Sequence, residues 1–301
     1  MIKIGIIGAN TQIAGELLRI LINHPEADIV SLLAPDLPGR SVSSVHHGFI
    51  GESPLLFSDK LNLENLDIIF ILDNSPLVQN ILRESEKYPD LKIISLTEQG
   101  ISNDEIGISE INRKALVRGA IKSFIPHPVV VTSLIALVPL ARFMLLNSEI
   151  NIEVTLPEDL AKNPDIKHFE NLIADILIKN QASFKDKISI KLISDKNNSR
   201  GIATKILINS QLPLQEVENV YDQIYDDHNF TFHTNNKISN KEVEGTHKYV
   251  MQISKPTEEE LMIQAFADAR LRGGAGDAVH VMNLFFGLHE KTGLSFKPAV
   301  Y

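Results

Sequence analysis

The sequence predicts an α/β protein made of a doubly wound parallel sheet and a second α+β domain with a mostly antiparallel or mixed sheet. Three observations carry this. The 301 residues amount to two domains at about 150 residues each. In the first half, short strands that are apolar at every position alternate with helical periodicity, the pattern of a parallel sheet covered on both faces. From about residue 147 the strands lengthen and alternate apolar with polar, as in a sheet buried on one face only.

The elements follow in order. Ile2 to Ile7 is a branched apolar run ending at Gly8, and Ile13 to Ile22 then repeats Leu17, Leu18, Leu21 and Ile22 at helical spacing. Asp28 to Leu33, Asp67 to Leu72 and Leu91 to Leu96 are further strands, with a helix over Pro76 to Lys87. Val129 to Leu146 is apolar for the length of a membrane span, yet it contains Thr132, Ser133, Pro139 and Arg142, which predicts a buried core helix instead. In the second half, strands are expected at Glu149 to Thr155, Ile188 to Ile193, Ile202 to Asn209, Phe230 to Thr234 and Lys248 to Ser254. Helices are expected at Asp165 to Lys179 and Leu214 to Tyr225. Glu258 to Leu271 and Gly276 to Leu288 read as helical, broken at Gly273 and Gly274.

Composition excludes several function classes. The chain has no cysteine, which removes disulfides, thiolate metal sites and a cysteine nucleophile. No metal is expected, since His46 and His47 have no partner at ligand spacing and His228 with Asp226 and Asp227 reads as a solvated turn. The net charge of −9 offers no electrostatic footprint for nucleic acid or an anionic membrane. The N-terminus has neither the charged region nor the cleavage site of a secretory signal, so a cytoplasmic protein is expected.

The first strand-to-helix turn reads Gly8-Ala9-Asn10-Thr11-Gln12-Ile13-Ala14-Gly15. In a Rossmann-like fold this turn sets backbone N–H groups and a helix N-terminus against a pyrophosphate. The full glycine fingerprint is absent: it needs glycine at 10 or 11 and again at 13 or 14, where Asn10, Thr11, Ile13 and Ala14 stand. The Thr11 side chain would either clash with a phosphate or donate its hydroxyl to it. A turn that binds NAD or NADP through Gly8, Asn10 and Thr11 and a turn that has lost binding are both compatible with this pattern. At the end of the second strand, Asp36 and Arg40 are the charges in reach of a ribose.

With the C-terminal segment ADARLRGGAGDAVHVMNLFFGLHEKTGL included, residues 267 to 294, the sequence resembles the N-acetyl-γ-glutamyl-phosphate reductases of the aspartate-semialdehyde dehydrogenase superfamily. Arg272, Gly273, Ala275, Gly276, Ala278, Val279, Met282, Asn283, Gly287 and Thr292 to Leu294 fit the closing signature of that family. Gly15-Glu16-Leu17-Leu18-Arg19 with His24-Pro25-Glu26, Gly107 to Arg113, and Arg200-Gly201-Ile202-Ala203-Thr204 resemble three further family stretches in the same order. The resemblance implies a nucleotide-binding domain of residues 1–127 and 268–301, with Asn283 near the cofactor. It also implies a catalytic and dimerisation domain of residues 128–267, with Arg200 toward the substrate. A homodimer or homotetramer follows from the family, with an active relative as an alternative partner.

The resemblance also implies a reaction that this chain is not equipped for. The family's cysteine, at the start of a helix, attacks an acyl phosphate, and hydride from NADPH reduces the thioester, with a histidine as acid and base. A helix N-terminus lowers a thiol pKa from about 8.5 and supplies oxyanion donors. The family's Asn-Pro-Gly-Cys falls at Ile125-Pro126-His127-Pro128, so Pro128 takes the nucleophile position. The family's Ser-Arg aligns with Ala34-Pro35, its Pro-His-Gly near Asp73-Asn74-Ser75, and its Asp-Leu-Ser-x-Asp-Phe-Arg with Ser95 to Gly100. His168 and Glu170 lie one residue out of register with its histidine motif. Three functions stay open: a pseudoenzyme retained for regulation or assembly, a reductase using direct hydride transfer around His127, Arg200 and Asn283, and the family reaction by a replacement nucleophile such as Thr132 or Ser133.

Overall fold

The computed structural model describes residues 1–97 and 106–298. The aligned stretch from Ser95 to Gly100 therefore lies partly outside the described residues. The chain divides into two compact units, Met1–Pro126 with Gly274–Leu294 and His127–Gly273 with the residues from Ser295 onward.

The first unit is built on β1 (Ile2–Ile7), β2 (Ala27–Leu33), β3 (Ile68–Ile71), β4 (Lys92–Ser95) and β5 (Lys122–Phe124). They lie in the order β2-β1-β3-β4-β5, every pair parallel. All four residues of β3 are buried, as are Ile4 to Ile7 of β1, which is why these strands show no alternation. Between them run α1 (Gln12–Leu21), α2 (Pro76–Ser85) and α3 (Ser109–Val117), and α7 (Ala275–Phe285) returns from the far end of the chain to pack on α1 and α3. Helix α3, irregular at Asn112, and the three-residue β5 carry little periodic signal. The strand order reverses between β1 and β3, and the carboxyl ends of such neighbours form the usual binding crevice of an open α/β sheet.

In the second unit, β6 (Ile150–Pro157), β7 (Ile188–Asp195), β8 (Gly201–Asn209), β9 (Thr231–His233), β10 (Tyr249–Ser254) and β11 (Glu260–Asp268) form a mixed sheet ordered β7-β6-β8-β11-β10-β9. Its inner face packs against α4 (Pro128–Arg142), α5 (Ile166–Asn180) and α6 (Leu214–Tyr225). The outer face, with Glu153, Lys191, Lys205 and Leu207, stays half-exposed or exposed. The segment expected to be helical over Glu258 to Leu271 is instead the strand β11, paired antiparallel with both β8 and β10. Its alternating burial, from Leu261 through Ile263, Ala265 and Ala267, has period two. Tertiary pairing there overrides the helix-forming content of Glu, Leu, Met, Gln and Ala.

Helix α4 is the core of this unit, buried at every residue from Pro128 to Ala141. No helix among the described residues is long and apolar enough to cross a membrane. Pro139 sits inside α4 and has no N–H for the carbonyl of Ile135. The hydroxyl of Tyr225 donates to that carbonyl instead, at 2.5 Å, while Tyr221 donates to Ala136 and Tyr249 to Thr132.

Candidate functional site

The glycine turn leaves β1 at the strand-order reversal. Gly8 has φ +76°, and a Cβ on it would lie 2.8 Å from Asp73 Oδ2, beyond the end of β3. Both facts demand glycine. The turn then closes on itself, with the Thr11 amide and hydroxyl both donating to the Gly8 carbonyl at 3.0 and 2.7 Å. Thr11 thus directs its hydroxyl proton into the turn. The backbone N–H groups of Asn10, Gln12 and Ile13 make no hydrogen bond among the described residues, and Asn10 and Gln12 are exposed. Three unsatisfied amides at the positive end of α1 form an anion cradle. Asp36 and Arg40 are exposed loop residues.

The start of α4 is built from the same kind of element with the opposite result. His127 is the N-cap, and its Nδ1 accepts the Val129 amide at 3.3 Å. Its carbonyl accepts the amides of Val130 and Val131, and Pro128 has no amide. Each N–H of the first turn is spent within the turn. The His127 ring stacks on Phe169 at 4.7 Å between centroids and bonds to the backbone of Leu160. Burial pushes its pKa down to about 4, the Leu160 bond opposing this in part. With Nδ1 accepting and the other nitrogen donating, His127 is neutral and has no lone pair left for a substrate proton.

The hydroxyl candidates are equally committed. Thr132 donates to the Pro128 carbonyl at 2.9 Å and meets the Thr204 hydroxyl at 2.8 Å, and Ser133 donates to the Val129 carbonyl at 2.7 Å. Both are buried. Among the described residues neither has a base aligned to activate it.

Arg200 pairs with the buried carboxylate of Asp268 through Nε at 2.7 Å, and Asp268 also accepts the amides of Gly245 and Arg270. The neighbouring Arg270 pairs with Asp159, whose carboxyl that hydrogen bond holds below its ordinary value. Asn283 is fully buried within the first unit. Its amide donates to the carbonyls of Glu290 and Thr292, and its Oδ1 meets His24 Nε2 at 3.0 Å. It fastens the segment after α7 to the loop after α1. His47 bonds to the Ser43 carbonyl, His228 lies edge-on to Tyr225, and Glu170 accepts the Ile190 amide.

Sequence reasoning missed His46. Its Nε2 lies 2.8 Å from the Ala9 carbonyl, and its ring packs edge-on to Phe49 and Phe57. A Cβ on Gly15 would stand 2.9 Å from its Nδ1. The one available signal was a glycine at a helical position that needs none for its backbone.

A parallel sheet with an open amide cradle at its strand-order reversal defines a dinucleotide-binding class of α/β protein. Residues 3–118 match the model of the semialdehyde dehydrogenase NAD-binding domain. Among solved structures, aspartate semialdehyde dehydrogenase II from Vibrio cholerae superposes with a TM-score of 0.71 at 13% identity, over 95% of this chain and 99% of that one. The Candida albicans aspartate semialdehyde dehydrogenase, solved with NADP, gives 0.65 at 12% identity, over 95% and 98%. The chain belongs to the N-acetyl-γ-glutamyl-phosphate reductase family: the reductase of Parabacteroides distasonis is 31% identical and that of Phocaeicola vulgatus 30%, each over 100% of both chains.

Proposed function

We propose that this chain is a nucleotide-binding member of its family that does not carry out cysteine-dependent reductive dephosphorylation and serves as a pseudoenzyme in regulation or assembly. The observation that carries the reading is the start of α4. Pro128 stands at the first helical position there, and the first-turn amides bond to His127. A thioester route needs a nucleophile and donors for the oxyanion. Neither role is filled at this helix start. Direct hydride transfer to a free carbonyl has no support from His127, whose ring nitrogens are both engaged.

The cradle residues fit a pyrophosphate. The amides of Asn10, Gln12 and Ile13 would hold it, with Gly8 keeping the turn open. A nicotinamide dinucleotide, NADP or NAD, when bound supplies hydride-transfer chemistry. In this reading the first unit, Met1–Pro126 with Gly274–Leu294, binds the nucleotide, and the second, from His127 to Gly273, carries the assembly surface of a cytoplasmic homo-oligomer. Support for that surface comes from the outer face of the six-stranded sheet, where Glu153 pairs with Lys191 at 2.8 Å beside Lys205 and an open recess of about 260 Å³.

The test is calorimetric titration with NADP(H) and NAD(H), alongside assays of NADP-dependent, phosphate-dependent oxidation of N-acetyl-glutamate semialdehyde. Saturable binding without turnover is expected. Steady turnover by the unaltered protein would overturn the proposal.

A further inference from the structure

His46 holds a contact that the proposed nucleotide role does not by itself require. It reaches across from the loop after β2, 37 residues away in sequence, to the carbonyl of Ala9 in the middle of the glycine turn. A carbonyl only accepts, so Nε2 carries the proton and donates it. In a trans peptide the C=O of one residue and the N–H of the next point in opposite directions from a rigid plane. Fixing the Ala9 carbonyl on His46 therefore fixes the Asn10 N–H pointing the other way. The Ala9 carbonyl also makes no bond with the Ile13 amide, the partner it would have if the helix began one turn earlier.

Gly15 belongs to the same device. It lies inside α1 with helical backbone, where alanine is the better helix former. A methyl group there would meet His46 Nδ1 at 2.9 Å and Cε1 at 3.4 Å, so the glycine makes room for the ring. Phe49 and Phe57 hold the ring from its other sides, with centroids 6.4 and 6.2 Å away.

We infer that His46 is a positioning residue for dinucleotide binding, which orients the Ala9–Asn10 peptide so that the cradle amides stay free for a pyrophosphate, and that Gly15 is present to seat its ring. The inference rests on the nucleotide-binding part of the function proposed above. It gives the paired sequence features His46 and Gly15 one shared role.

The experiment measures NADP(H) and NAD(H) affinity by calorimetry in the unaltered protein and in His46→Phe, His46→Gln, Gly15→Ala and the double variant Gly15→Ala/His46→Phe. Phenylalanine keeps the ring's packing and removes the donor; glutamine puts an N–H near the Nε2 position. Losing one hydrogen bond predicts about tenfold weaker binding in His46→Phe and recovery to within about threefold in His46→Gln. Gly15→Ala is expected to lose about tenfold as well, with no further loss in the double variant, because both act through one contact. The Asn10 amide resonance in the ligand-free protein should shift in His46→Phe and return in His46→Gln, which a packing role would not produce. Equal affinity of His46→Phe and the unaltered protein, or failure of glutamine to recover binding, overturns the inference alone. No saturable binding by the unaltered protein overturns the nucleotide reading and this inference together. If His46→Phe does not fold by thermal melting, Gly15→Ala carries the test, and unchanged affinity there overturns the inference.

Discussion

The two helix starts, α1 in the first unit and α4 in the second, begin from the same chemistry and end in opposite states. Each has a cap residue outside the helical conformation, Thr11 or His127, and each helix starts with N–H groups that lack an intrahelical partner. At α1 the cap side chain turns back to the Gly8 carbonyl, and three amides remain open. At α4 the cap side chain turns forward onto Val129, the cap carbonyl takes Val130 and Val131, and proline deletes the remaining donor. The cap carbonyl takes two amides at both starts, since Thr11 accepts those of Ala14 and Gly15, so the difference lies in the first two helical positions: a helix N-terminus is an anion site only when the cap side chain and the residue after it leave those N–H groups open.

The sharpest way to break the comparison is to reopen α4. Pro128→Cys restores both an amide and a thiol, yet the oxyanion donors and an available base are still missing, and each is worth about a hundredfold or more. The variant is expected to stay roughly a thousandfold or more below the Parabacteroides distasonis relative in phosphate-dependent NADP reduction assays. Recovery to comparable rates would show that the cap is not what silences this position.

The next effect concerns the buried cap. Between pH 6.5 and about pH 4 the unfolded chain takes up a proton at His127 that the folded protein refuses. The contribution of this residue is therefore fully present above pH 6.5 and is lost as pH falls, by at most about 3 kcal/mol. His127→Asn keeps an acceptor for the Val129 amide and removes the titration, so urea midpoints of the two proteins should converge toward pH 4. Parallel curves would place the ring in a more solvated setting.

Smaller again is the loss in Tyr225→Phe, which leaves the Ile135 carbonyl buried opposite a proline with no donor. The expected cost is about 1 to 3 kcal/mol in denaturant unfolding. Adding Pro139→Ala, which returns an N–H to that carbonyl, should recover part of it; strict additivity would mean the two do not share the acceptor. On the open side, Gly8→Ala forces an L-residue into a left-handed conformation at about 1 to 2 kcal/mol and drives a methyl group against Asp73. Dinucleotide affinity should fall by about tenfold or more, and unchanged affinity would remove the turn from the site.

Legibility in the sequence followed the range of the interactions. The buried parallel strands and α4 are written in runs of apolar residues, and the family relationship is carried by contiguous stretches such as Arg272 to Asn283. β11 was misread because its residues favour a helix locally, and only β8 and β10 on either side make it a strand. A proline at position 128 just ahead of an apolar helix is legible in the sequence, but not the closure around it, since Leu160 and Phe169 reach His127 from more than thirty positions away. Asn283 was expected beside the cofactor, and its hydrogen bonds to His24 and to the segment after α7 give it a fastening role that no spacing could announce. The direction of the Thr11 hydroxyl, which donates to the Gly8 carbonyl at 2.7 Å, is likewise set by the turn's three-dimensional closure and not by spacing.

The closed start of α4 also bears on how this terminus responds to single changes. Proline at the first position, a histidine cap stacked on Phe169 and two hydroxyls bonded back to the helix share the same two turns, so a substitution at any one of them leaves the others in place, and opening this terminus takes several changes made together.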